Sequence, residues 1–197
     1  MKMTPKTPAE IPVILFATPK DWETWLKENQ AESKGLWLRL AKKNSSIESV
    51  TYAEALDVAL CYGWIDGQKK SYDEATFLQK FTPRGAKSIW SKINREKVEA
   101  LIKARRMKPA GLNAVESAKQ DGRWEAAYDS QSKATVPEDF QAALDQNEKA
   151  QAFFATLKSV NRYAILFRIQ TARKAETREK RIRQFIEMLE KHETIHS

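Results

Sequence analysis

Histidine is nearly missing from this chain of 197 residues: His192 and His196 are the two present, both within the last six positions. A histidine general base, a Ser-His-Asp triad or a Cys-His pair in the body of the chain is therefore not expected. Cys61 is the single cysteine, which excludes an internal disulfide and, with so little histidine, a zinc site on ligand count alone. No acidic cluster has spacing that suggests Mg²⁺, and neither a P-loop nor a G-x-G-x-x-G occurs. No cofactor is expected. Long apolar runs are also lacking. Val13–Ala17 falls short of the roughly 7–15 residues of a signal-peptide core, and no stretch approaches the ~18 of a membrane span. These absences point to a cytoplasmic protein with no membrane insertion.

What remains is the composition of a globular protein, 42% hydrophobic and 30% charged. The length suits one domain, or one domain with an appended helical part. The net charge is +8, and it is clustered. Residues 84–108 hold nine basic side chains against two acidic ones, and residues 158–191 hold ten against four. Clustering of this kind points to an anionic partner, with a solvated helix face as the plainer alternative.

The pattern along the chain is α+β, a small N-terminal sheet with helices followed by a helical C-terminal half. Residues 1–12, with Pro5, Pro8 and Pro12, read as an extended arm. Residues 13–122 read as the α+β part, and residues 123–197 as a helical subdomain that could form one unit with it. Thr18-Pro19 opens a helix that carries Trp22, Trp25 and Leu26 on one face. Leu36, Leu38 and Leu40 alternate with Trp37, Arg39 and Ala41 as a strand. Thr51-x-x-Glu54 is a capping box for a helix over 52–62. Trp64-Ile65-Asp66 and Thr76–Phe81 read as two short strands. Helices are then expected from Ser91 or Asn94 to about Arg106, from Pro109 to about Asp121, over 137–144 and 148–157, from about Arg162 to Ala172, and over 176–192.

Four stretches, CYGWIDG (61–67), FTPRGAKSIWSKIN (81–94), DGRWEAAYDSQSKATVPEDF (121–140) and TARKAETREKRI (171–182), resemble the YdeI/OmpD-associated, bacteriocin-protection family. The resemblance implies a non-enzymatic binding or stress-protection protein, concerned with resistance to cationic peptides or bacteriocins, with a possible protein partner such as an outer-membrane porin. It brings no catalytic residues. The family pattern after FTPR is richer in arginine and proline than Gly85-Ala86-Lys87, so a ligand held by that loop would be selected differently.

Three constellations carry candidate sites. Asp66 lies between Gly63-Trp64 and Gly67, where backbone can approach a ligand closely, and the rival is an aspartate that bonds its own turn. Arg84, Lys87, Trp90, Lys92 and Asn94 form a basic loop leading into a helix start, a natural anion site, with a core role for Trp90 as the rival. Arg178 and Arg181 lie three apart on the last helix, facing either the interior and Asp66 or solvent. Trp64, Asp66, Arg84 and Trp90 are expected around one concave site for a small anionic ligand. Two alternatives stand beside that reading. One is weak nucleic-acid binding through the basic helices, and the other is a metal-independent enzyme that uses Asp66 with arginines.

The ligand inventory yields the first prediction. Treatment with a strong chelator should leave the melting temperature unchanged, as read by differential scanning fluorimetry. A drop that zinc or magnesium reverses would contradict it.

Overall fold

In the computed structural model, which describes residues 11–196, a four-stranded sheet is followed by a run of helices, so the class is α+β with a helical C-terminal half. The described chain holds β1 (Val13–Ile14), α1 (Pro19–Asn29), β2 (Leu36–Ala41), α2 (Tyr52–Cys61), β3 (Trp64–Ser71) and β4 (Thr76–Pro83). Six helices follow: α3 (Lys92–Lys103), α4 (Pro109–Gln120), α5 (Glu138–Asp145), α6 (Glu148–Thr156), α7 (Ser159–Gln170) and α8 (Ala175–Glu190). The chain divides into two compact units. Among the described residues, the first takes in the chain up to Ser88 together with Asn94–Trp124, and the second is Ile89–Ile93 with the chain from Glu125 onward. The arm expected over residues 1–12 lies outside the described residues except for Ile11 and Pro12. The carbonyl of Pro12 accepts a hydrogen bond from the Trp37 amide at 2.8 Å.

The first unit is built on the alternation of β2. Leu36, Leu38 and Leu40 are buried, and the residues between them are half-exposed. The sheet order is β1-β2-β4-β3, with β1 parallel to β2 and the other pairings antiparallel. The register sets Leu36 opposite Phe81 and Leu38 opposite Gln79. Helix α1 starts with a capping box in which the Thr18 hydroxyl accepts from the Asp21 amide and Asp21 accepts from the Thr18 amide. Such a cap contributes about 1 kcal/mol. Burial contributes more. Trp22 is fully buried and donates Nε1–H to the Ala55 carbonyl at 3.0 Å. An aromatic side chain hides roughly 150–250 Å², about 4–6 kcal/mol at ~25 cal/mol/Å² as an upper bound. Trp22, Trp64 and Phe81 pack ring against ring, with Trp22 and Trp64 edge to face at 6.1 Å.

Strand β3 is longer than the expected Trp64–Asp66. Its second half, Gly67–Ser71, is polar and exposed, so it lacks the apolar alternation that marks a strand in sequence. It pairs with β4 as the outermost strand, where one side meets water. The pairing slips between Asp66 and Lys69. Buried Gln79 covers that irregularity, donating Nε2–H to the carbonyls of Gly67 at 2.9 Å and Gln68 at 3.3 Å. The two-residue β1 is too short to show any period. Asp73 closes the β3–β4 turn by accepting from the Ala75 amide and from the Thr76 amide and hydroxyl.

In the second unit, Phe140, Leu144, Phe154, Ile165, Ile169, Phe185 and Leu189 form one buried cluster drawn from α5 to α8. The segment Ile89–Ile93 belongs to this unit because it pairs with the main chain of Tyr128. The Tyr128 amide donates to the Trp90 carbonyl, and the Lys92 amide donates to the Tyr128 carbonyl, both at 2.9 Å.

Helix α4 approaches the end of α2 with no room to spare. A Cβ on Gly111 would lie 2.2 Å from the Cys61 carbonyl oxygen, and one on Gly63 would lie 2.8 Å from the Ala110 carbonyl oxygen. Gly111→Ala should therefore destabilise the first unit by about 3 kcal/mol, since backbone rather than a flexible side chain would have to move. Chemical denaturation read at the tryptophans checks this, and a loss below about 1 kcal/mol would show that α4 is free to shift.

Candidate functional site

The junction that seats α4 also shapes a groove in the first unit. Three adjoining cavities run along α1, the end of α2 and the start of α4. One, of about 470 Å³, is lined by Gln30, Tyr62, Trp64, Pro83, Arg84 and Asn113 among others. The next, of about 450 Å³, shares Gln30 and Tyr62 and adds Lys20, Glu23, Lys27 and Lys108. The last, of about 230 Å³, shares Glu23 and Lys108 and adds Cys61, Arg105 and Arg106. Six of the lining side chains are cationic: Lys20, Lys27, Arg84, Arg105, Arg106 and Lys108. Glu23 is the one carboxylate among the lining residues.

Glu23 organises the middle of the groove. It is bridged by Lys108 Nζ at 3.0 Å and accepts a long hydrogen bond from the Tyr62 hydroxyl at 3.4 Å. The bond to Glu23 raises the Lys108 pKa, although desolvation works against it. Burial, helped by the nearby Glu23 charge, raises the pKa of the Tyr62 hydroxyl. Burial also pushes the Cys61 thiol up, against the pull of Arg106. At neutral pH the groove thus presents protonated lysine, neutral tyrosine and an un-ionised thiol, which suits holding an anion better than nucleophilic attack.

The chain reverses sharply where the last cavity begins. After α3, Arg105 takes φ 56°, a left-handed conformation that glycine ordinarily supplies, while the Arg106 amide bonds back to the Leu101 carbonyl at 3.0 Å. The helix expected to reach about Arg106 thus ends earlier, at Lys103. That earlier end turns two arginines out of a helix face and into the wall of a cavity. Arg105, Arg106, Lys108, Tyr62 and the cationic face of α1 are not marked as site residues by any local motif. Arg105, Arg106 and Lys108 do stand inside the basic run of residues 84–108, which is the one signal of them in the sequence.

The residues that local motifs do mark are distributed as follows. Trp64 and Arg84 line one cavity, and the Arg84 amide donates to the Gly63 carbonyl at 2.9 Å. Trp64, however, is 1% exposed and is chiefly a core ring. Asp66 is half-buried on β3, accepts from the Tyr52 hydroxyl at 2.9 Å, and is not among the residues that line the three cavities. Gly63, at φ 73° against Ala110, has the special backbone expected of it. Gly67 does not, since a Cβ there would meet ordinary contacts at 3.8 Å. Lys87 is exposed beside a turn in which the Gly85 amide donates to Ser88 Oγ. Asn94 is 7% exposed on α3.

Trp90 and Lys92 belong to the second unit. Trp90 is 2% exposed, as a core ring would be, and offers no open wall for stacking. Lys92 bridges Asp129 at 2.7 Å. Burial resists ionisation of Asp129, but hydrogen bonds from Lys92 and Gln170 hold its pKa below the ordinary value. Arg178 and Arg181 fasten helix ends. Arg178 grips Asp139 with two nitrogens, at 2.5 and 2.8 Å, and donates to the Ile169 carbonyl at 2.9 Å. Arg181 donates to the Arg168 carbonyl. Both arginines thus satisfy carbonyls at the C-terminal end of α7, where a helix dipole favours cations.

The bond from Arg178 lowers the Asp139 pKa. The stability that Asp139 contributes is therefore present above the ~3.9 of an unfolded aspartate and is lost as pH falls through the lower folded value. Asp139→Asn should weaken the protein at neutral pH and converge with the wild type in acid. Urea denaturation at a series of pH values checks this; a difference that stays constant down to strong acid would show that the pair is not responsible.

Among the described residues no helix is long and apolar enough to cross a membrane. Residues 133–192 match the family model described as "Bacteriocin-protection, YdeI or OmpD-Associated". That match takes in the stretch 171–182 and the end of 121–140. The stretches 61–67 and 81–94 fall instead under a second model, which spans residues 14–114. No curated protein and no solved structure gives a match. The second model covers just over half of the chain and corresponds closely to the first structural unit. The chain therefore belongs to the family described as "Domain of unknown function (DUF8412)", and its C-terminal segment is similar to the YdeI/OmpD-associated family.

Proposed function

We propose that this is a non-enzymatic binding protein, of the YdeI/OmpD-associated kind, whose first unit takes a small anionic ligand in the groove beside α4. The observation that carries this reading is the excess of six cationic side chains over one carboxylate along adjoining cavities. Cavities near 450 Å³ fall within the range that encloses small molecules. Tyr62 supplies a polar edge at the centre, and Arg84 and Arg105–Arg106 supply positive ends. The protective role that the resemblance implies would then work through an anionic partner. A chain of net charge +8 repels a cationic peptide and is poorly suited to capture one directly.

The experiment is a thermal-shift titration with inorganic phosphate, pyrophosphate, citrate and a nucleoside monophosphate. A fitting anion at about 100 times its Kd stabilises by about 2.7 kcal/mol, a shift of several degrees. Two variants locate the site. Lys108→Ala should cut the shift. Arg105→Gly should stabilise the apo protein by about 1 kcal/mol, because glycine accepts the left-handed backbone, and yet weaken the anion's effect. If the variants keep the full shift, or no anion of the series produces one, the groove is not an anion site.

A further inference from the structure

The outward face of the sheet in the first unit combines two features that no part of the groove requires. In β2 the residues between the buried leucines, Trp37 and Arg39, point away from the core. Lys70 and Lys80 lie over the Trp37 ring, at 4.2 and 5.8 Å from its centroid. Arg39 lies over Tyr72 at 5.0 Å, and Tyr72 is 53% exposed. Around the open edge of β3, on the other side of the strand, a cavity of about 460 Å³ is lined by Lys42, Lys43, Lys69, Lys70, Ser71 and Phe77, with Lys69 over the Phe77 ring at 4.3 Å. In the β3–β4 turn Asp73 is engaged by Arg39 at 2.8 Å.

We propose that this sheet face binds single-stranded nucleic acid, with Trp37 and Tyr72 as stacking platforms and Lys70 and Lys80 on the phosphates. Every base has a flat apolar face, and each is followed by a negative phosphate. A surface that alternates rings with lysines along strands matches that order. Trp37 and Arg39 are two residues apart on one strand, roughly 7 Å, and Tyr72 lies beside Arg39, so the two rings are set at different points along the face. The lysines now over Trp37 are no obstacle. An exposed lysine-over-ring contact is weaker than base stacking on the same ring, and a displaced ammonium remains close enough to meet a phosphate. A duplex hides its base faces and would touch the lysines alone, so the platforms select for single strands. This surface is separate from the anion groove, and neither proposal depends on the other. The rival explanation is that lysines shield an open strand edge from pairing with another chain.

The test uses the full chain and fluorescence anisotropy with a labelled oligothymidylate, a duplex of equal length and heparin as a charge-only competitor. The single strand should bind about tenfold more tightly than the duplex at ~50 mM salt and weaken steeply towards ~200 mM. Trp37→Ala and Tyr72→Ala should each weaken single-strand binding about tenfold. Lys70→Ala with Lys80→Ala should lower the slope of log affinity against log salt. Should Trp37→Ala fail to fold, the exposed Tyr72 position carries the test alone. Equal affinity for duplex and single strand, binding by the aromatic variants within about twofold of wild type, or no binding at ~50 mM salt would each overturn the proposal in favour of edge shielding.

Discussion

The first unit depends on how closely α4 can approach the end of α2. At that junction the Cys61 carbonyl receives the Lys108 amide at 3.0 Å, and two glycines keep the backbones free of Cβ atoms. The contact fixes more than packing. Because Lys108 is held there by its own main chain, its side chain reaches Glu23 on α1, and that ion pair links helices distant in sequence. The groove is therefore a consequence of the close approach. Its walls are α1 and α4, and its floor is the turn Tyr62-Gly63 between them. A larger residue at either glycine would alter the walls before it altered any binding group.

The same dependence on neighbours explains why the fold is legible in the sequence while the site is only partly so. Elements with local signatures can be read directly: the Thr18 and Thr51 caps, the leucine alternation of β2, and proline at the start of α4. Elements defined by their neighbours cannot. β1 is two residues long and gains its identity only from β2, and the polar half of β3 is a strand only because β4 lies beside it. Gly67 shows the same limit. Its flanking residues suggest a special backbone, but the irregularity there is covered by the Gln79 amide, a residue twelve positions away.

The site is obscured for a related reason. Tryptophan next to aspartate suggests recognition, but in Trp64-Ile65-Asp66 the ring faces the core and the carboxylate takes a tyrosine hydroxyl. Arg178 and Arg181 stand out in the sequence because neither has an acidic residue three or four positions away. Their partners prove to be carbonyls at the end of a neighbouring helix and, for Arg178, Asp139, thirty-nine positions away. Local spacing cannot reveal such pairings. The groove arginines are the converse case. Continuous helical numbering would scatter Arg105 and Arg106 around a solvated face, and only the left-handed turn at Arg105 sets them together beside Cys61.

Charge gives a last constraint on how these parts can act. The basic excess of residues 158–191 is partly consumed inside the second unit, where Arg178 and Arg181 are tied to α7 and Asp139. The first unit differs. Its groove holds six cations around one carboxylate, and that carboxylate is already bridged by Lys108. Like charges gathered in this way repel one another, and the repulsion is tolerable in water because solvent and salt screen it. An anion entering the groove would relieve that repulsion at several lysines and arginines together. Its stabilising effect should then be greatest at low ionic strength and shrink as salt supplies competing anions. A ligand held mainly by the apolar wall of Trp64 and Pro83 would show no such decline. The salt dependence of binding therefore separates an electrostatic site from an apolar one, whatever the natural ligand is.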